Sequence, residues 1–571
     1  EGTLLLSTTG SFQLDDTARY GTRNLSLSVG AINMGSGEAL AAAQANGTRS
    51  SGLTLNQGVL DRLLRGDTGT GAPALQSLML SAAASVTFYG DVVLDTYDKG
   101  TGKSTLERLV LTTPAMYGQG GADTVATIRT ANLIWGGALS PAGNVIAHGA
   151  GTGSGTLNLE AQRIDFGFGP FTQPAGVASF DRLALGFGNV NLKASGQVTA
   201  NHKGSLSVYQ AQGAYEAGKG YQYGGGKLNI STPLLTGDAG SVHSYTAGGA
   251  LTVAAPAGTA PAAPVKNTDG LGAQLLLNGD SVSVATAVVL PSGKLTVSAR
   301  HDITVADGAR IDMAGRKSTF FDVDKYSWGG DVTLDSRAGD IRTASGAVID
   351  VSAENNRAGS LKAVALDGEA GMVDLQGKLL GGASGSYDAG GTVVPYKKGS
   401  VDVRAQTLGA GGTLDSQFAS LNARLTEGGV TGGRSFQLKQ GDLTIGNELK
   451  AGEVQVALDN GKLSVAGTVD ASGERVGSIR LAGKHGLTLA GNAVLDAHGT
   501  LLRVDSYGKI IDSPNRATVE LNAGEGVLDL AGGAQIDVRH GTAAVAGKGR
   551  GEHDGAARGT VELSAPRLGS G

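Results

Sequence analysis

Residues 478–499 read SIRLAGKHGLTLAGNAVLDAHG, and Ile479, Leu487 and Leu495 fall eight residues apart. The spacing recurs. KLTVSARHDITVADGARIDMAG (294–315) sets Leu295, Ile303 and Ile311 eight and eight apart. DVTLDSRAGDIRTASGAVIDVSA (331–353) sets Val332, Ile341 and Ile349 nine and eight apart, as TVELNAGEGVLDLAGGAQIDVRHG (518–541) does Val519, Leu528 and Ile536. Each unit is three short apolar segments, each followed by a Gly or Ala-Gly corner. Within a segment the alternation is strict: Thr518-Val519-Glu520-Leu521 turns Val and Leu to one side and Thr and Glu to the other. Period two marks a strand with one wet face. A hairpin meander would show more Asn-Gly or Asp-Gly turns, and it has no reason to repeat in threes.

A solenoid does have that reason. Each strand pairs in parallel with its equivalent one coil along, and stacked coils share a core that no single coil can bury. The expected fold is all-β, a right-handed parallel β-helix with three short strands per coil. Each coil advances about 4.8 Å, so around 20 coils would make a rod on the order of 100 Å long.

The composition agrees with this. Gly supplies 94 of 571 residues, roughly twice the usual share, and stacked corners need its small size and positive φ. Apolar residues make up 40% and aromatics 5%, which predicts a thin aliphatic core. With no Cys, disulfides and thiolate metal sites are excluded. That suits a cytosolic protein, or a bacterial one that crosses an outer membrane unfolded. A net charge of −5 gives no electrostatic reason to bind nucleic acid. No apolar run is long enough to span a bilayer. The Glu1 start, without a charged and apolar leader, and the RLGSG ending read as a mature or excised piece of something longer.

The pattern divides the chain into an irregular β-helical segment (1–252), an Ala/Pro-rich loop or linker (253–270) and a regular β-helix (271–571). In the irregular part, GEALAAAQANG (37–47) and LNQGVLDRLLRGD (55–67) read as short helices or loops set into the stack. In the regular part the insertions 315–330, 498–517 and 540–559 all follow the third strand. They therefore leave from one corner, the side solenoids often use for binding.

Candidate sites each have a plain alternative. Asp312, Asp350, Asp470, Asp496 and Asp537 recur at one place in the unit and should stack about 5 Å apart. Paired carboxylates at that distance suit a retaining glycosidase or a cation ladder; the plainer role is to start a turn by accepting backbone N–H bonds. Arg65-Gly66-Asp67 is an integrin-recognition tripeptide when displayed on a mobile loop, and otherwise a surface turn. The insertion FFDVDKYSW carries Asp322, Asp324, Tyr326 and Trp328, whose rings and carboxylates suit a sugar but equally suit packing on their own coil. His498, His540 and His553 lie in corner insertions without metal-ligand spacing. No catalytic residue, cofactor or metal is assigned.

At GSIRLAGKHGLTLAGNAVLDAHG and its relatives the chain resembles the β-helical shafts of the filamentous haemagglutinin family, large exoproteins of two-partner secretion in Gram-negative bacteria. The likeness is best from about residue 280 onward and lies in repeat style, glycine content and missing Cys. It implies a right-handed β-helix and export through an outer-membrane β-barrel transporter. It also implies a secreted or cell-surface location, and adhesion to cells or biofilm matrix through glycan or protein ligands. The Asn-Pro-Asn signature of the family's secretion domain is absent, so this piece should lie downstream of it. Two rival readings are a polysaccharide-degrading β-helix enzyme and the stalk of a contact-dependent growth-inhibition toxin.

Overall fold

The computed structural model describes residues 2–10, 12–15, 21–66, 69–168, 179–367, 371–540 and 559–567. The fold is an all-β parallel β-helix, with three α-helices interrupting it among the described residues. Two compact units are present. The first comprises Glu1–Pro264 and Asp269–Val289, the second Val265–Thr268 and Leu290–Gly571.

In the second unit the eight-residue rhythm produces three faces. On the first face, parallel strands run from Lys294–Ala299 and Asp331–Ser336 through Ser360–Ala365, Ser400–Ala405, Gly433–Leu438, Glu453–Leu458 and Ser478–Gly483 to Thr518–Asn522 and Thr560–Ser564. Every neighbouring pair is in register, so Ile479 lies between Val454 and Val519. On the second face Leu487 lies between Leu463 and Leu528, and on the third Leu495 lies between Val469 and Ile536. The three positions that set the rhythm thus start three aliphatic ladders. Ile479, Leu487 and Leu495 are completely buried. Ile536, in the last full coil described, is half-buried.

Long connections in this unit leave from the corner between third and first faces, as the spacing predicts. They span 313–330, 351–359, 381–399 and 497–517. Neighbouring connections bond to one another: Asn356 donates to Tyr326 O at 2.8 Å, and Asn355 N to Ser384 Oγ at 3.0 Å.

One coil departs from the pattern. After Thr407–Leu408, the second and third faces give way to the helix Leu414–Glu427. Thr413 caps it by accepting from Ser416 N, and Phe418, Leu421, Asn422 and Leu425 form its buried stripe. Arg424 donates twice to Leu375 O, a carbonyl that has no strand beyond it to pair with. Beneath the helix Arg434 stands where the ladder otherwise has Val401 and Val454. It is 1% exposed and donates to Val430 O, to Asn422 O and Oδ1, and to Thr426 Oγ1 at 2.8–3.2 Å. Only the first face runs unbroken past this level. The second and third resume as separate sheets from Leu443–Ile445 and Thr468–Asp470.

The first unit has the same three faces but builds them differently. Single long strands, Asn24–Gly35, Ser77–Tyr89, Gly155–Phe166 and Phe187–Ala200, run along two faces each. They turn the corner at register shifts within one continuous strand, such as those between Ala161 and Arg163 and, at Gly30, between Val29 and Ala31. Insertions leave from several corners, including the antiparallel hairpin Ala211–Glu216/Gly220–Gly224. The stretches 37–47 and 55–67 contain helices, Gly37–Ala45 and Gln57–Arg65, capped by Ser36 and Asn56.

This core is not simply aliphatic. It holds Trp135, Phe166, Tyr245, His243 and Arg182, each at most 2% exposed. Gly204 sits in register between Phe180 and His243, and a Cβ there would lie 2.9 Å from Arg182 Nη1. The missing side chain makes room for the guanidinium, which donates to Trp135 O and Phe180 O and lies 5.8 Å from the Phe166 ring centre.

Candidate functional site

The five recurrent carboxylates stack as their spacing requires. Asp312 pairs with Asp350, and Asp470 with Asp496 and then Asp537, in successive coils. Each ends a third-face strand, and each accepts the backbone N–H two residues on, from Ala314, Ser352, Ser472, His498 and Arg539, at 2.9–3.1 Å. That is the turn-starting geometry.

Like charges one coil apart need compensation. Asp312 has Arg310 and Arg316 at 2.9 Å, and Asp470 has Lys450 at 3.3 Å. Hydrogen bonding from Arg539 comes first among the causes that push Asp537 down to about 2. Asp496, His498 and Asp537 bring ligand atoms within 4.8 Å of one another. His498 Nδ1 already lies 2.6 Å from Asp496 Oδ1, and Arg539 forks onto Asp537. The cluster is satisfied from within.

The aromatic insertion forms an antiparallel hairpin, Lys317–Phe320 against Val323–Tyr326. Its tip carries Phe321, fully exposed with a φ of 55°, and the exposed Asp322. Asp324 is tied into the stem by Lys317 and Thr319, both at 2.7 Å, and those bonds hold its pKa below the usual range. Tyr326 faces Lys317 at 5.9 Å. Trp328 is half-exposed, and its carbonyl accepts from Ser292 Oγ. The hairpin is thus anchored at its base and displays its aromatic tip.

Arg65 ends the helix Gln57–Arg65 and Gly66 caps it with a φ of 72°. Asp67 lies outside the described residues, as do His553 and the insertion beyond His540.

Two open clefts adjoin at the corner of the second unit. One, of about 680 Å³, lies between Tyr396 and Pro514 over the short corners at 451–453 and 472–476. The other, of about 700 Å³, is a trough on the first face. They share Lys397, Glu453 and Val476. The trough exists because the register partners Ser360, Ser400, Gly433 and, past Glu453, Ser478 carry little or no side chain. Sequence reading missed both clefts. Lys397-Lys398 and the outward Lys362, Arg404 and Arg480 are visible in the chain, but only coil register brings them to one side.

A third cleft, of about 620 Å³, lies in the first unit beside Tyr97. It follows an alternating ladder, Asp95–Arg129–Glu160–Lys193, with N–O distances of 3.7, 2.9 and 3.0 Å. Across the same coils Asn229 donates to Asn191 and Asn191 to Asn158, amide to amide, both at 2.8 Å. These polar groups answer one another across the coils. No described helix is long and apolar enough to cross a membrane. Compared with known proteins, the chain matches no family model, no characterised relative and no solved structure.

Proposed function

We propose that this chain is a structural and adhesive shaft segment of a large secreted or surface-exposed bacterial adhesin of two-partner secretion. Its coils hold binding loops along one side, and attachment is to cells or biofilm matrix. The observation that carries the reading is the corner of the second unit, where successive long connections bond to one another and display Phe321 and the clefts around Tyr396. The five stacked Asp residues support it as well, since each closes a turn and Asp312, Asp470, Asp496 and Asp537 have a basic or imidazole partner within their own or a neighbouring coil. Export through an outer-membrane β-barrel transporter is part of the proposal.

The test is attachment. Beads coated with the 571-residue chain should adhere to epithelial cells or biofilm matrix. A variant with residues 317–326 replaced by a short Gly-Ser turn should adhere less. Uncoated-level adhesion by the parent chain refutes the reading. Release of reducing ends from polysaccharides would favour the enzyme alternative.

A further inference from the structure

We infer that the joined clefts of the second unit bind a linear, carboxylate-bearing polysaccharide. The inference takes its biological setting from the proposed attachment role, but its evidence is separate. It begins with charge. Over the whole chain acids outnumber bases, 51 to 46. Across these two clefts the balance reverses. Lys362, Arg404, Arg480 and Arg516 reach solvent along the trough. At the corner Lys397, Lys398, Lys450 and Arg475 do the same. The lining carboxylates are Asp402, Glu453, Asp470 and Glu474.

Pairing narrows the field. Lys397 bonds Glu453, Arg404 bonds Asp402 and Lys450 bonds Asp470. Arg480 and Arg516 reach the rim carboxylates Glu520 and Asp512. Lys362, Lys398 and Arg475 make no ion pair among the described residues, against Glu474 alone on the acidic side. Three uncompensated cations spread over several coils favour an extended anion over a compact one.

Shape points the same way. The trough crosses the strands from Ser360–Ala365 to Ser478–Gly483, four coil steps, or roughly 19 Å at the usual strand spacing. Its floor is small residues, so a single chain can lie along it. Tyr396 lines the corner with its ring 5.2 Å from that of Tyr387, an aromatic pair that suits a pyranose, while Arg475 carries the planar fork that matches a carboxylate. A nucleic-acid duplex would need a broad basic surface, which a chain of net charge −5 does not provide.

The experiment is equilibrium binding of the whole chain to polygalacturonate, with neutral dextran and duplex DNA as comparisons. The K362A/K398A/R475A variant changes only solvent-reaching side chains, and circular dichroism verifies its fold. Polygalacturonate should bind, salt should weaken it, and the triple variant should bind on the order of tenfold more weakly. Dextran should not bind. Equal binding by parent and variant, equal binding of dextran or DNA, or no binding at low salt overturns the inference. If the chain adheres to cells or matrix yet ignores polygalacturonate, the cleft assignment fails and the attachment reading stands.

Discussion

His243 is the residue whose surroundings give the sharpest expectation. Neither ring nitrogen has a hydrogen-bond partner, and neither the Tyr245 hydroxyl nor Ser241 Oγ supplies one. The ring lies between Phe166 and Tyr245, with centroids 5.4 and 4.5 Å away. Burial first, and then repulsion from the nearby Arg182, hold its pKa well below 6.5. The folded state therefore keeps His243 neutral while the unfolded state takes up a proton below about pH 6.5. Stability from this group is complete above that pH and falls as pH drops below it, by up to about 1.4 kcal/mol per pH unit. Asp470, Glu160 and Asp537 have pKa values lowered in the fold, so their losses come only below the ordinary carboxylate range. Between about pH 4.5 and 6.5 the effect of His243 stands alone among these groups. Thermal melting by circular dichroism should show the parent chain weakening across this window and His243→Phe weakening much less. Parallel curves would reject the assignment. Nothing in the sequence marks this site, because VHSYTA alternates like any strand and only the register reveals Arg182 beside it.

At the scale of single elements, the repeated Asp and the helix Leu414–Glu427 contrast. The Asp was legible: one residue at a fixed place in each unit, followed by a turn. Its turn-starting role makes a specific prediction. Asp470→Asn keeps an oxygen for Ser472 N and loses only the half-exposed Lys450 pair, so it should cost less than about 1 kcal/mol. Asp470→Ala removes both and should cost about 1–2 kcal/mol. Urea unfolding separates the two, and equal costs would contradict the turn role. The helix was not read from the sequence, although Phe418, Leu421, Asn422 and Leu425 have helical spacing behind Thr413. The strong period of the flanking strands masked it. The clearest warning was Arg434, a cation at an inward strand position. Arg434→Met would leave the Val430 carbonyl and Asn422 Oδ1 without their donor. The expected loss is about 2–4 kcal/mol in the same urea measurement. An unchanged midpoint would show that the helix holds without it.

At the scale of a whole unit, three aliphatic ladders carry the stacking of the second one. Leu487 is completely buried between Leu463 and Leu528. Leu487→Asp puts an unpaired charge into that ladder and should cost at least about 4 kcal/mol. Superimposable melts for variant and parent would mean the ladders do not hold the coils. The parallel topology was readable because Ile479, Leu487 and Leu495 repeat in threes, which neither a sandwich nor a meander requires. The first unit was less readable, since its strands bend through two faces without ending, and a glycine such as Gly30 or Gly196 marks only some of those corners. The clefts of the second unit were hidden for a different reason: their walls draw on residues from Ser360 to Arg516, joined only by register.

The helix Leu414–Glu427 also has a mechanical consequence. At its level one hydrogen-bonded sheet continues and two are cut, so resistance to sideways load drops there and the remaining sheet acts as a leaf spring. Within the second unit a bending load therefore meets one continuous sheet at this coil, and the basic trough crosses the same level. Compliance and the cleft thus share one address on the protein.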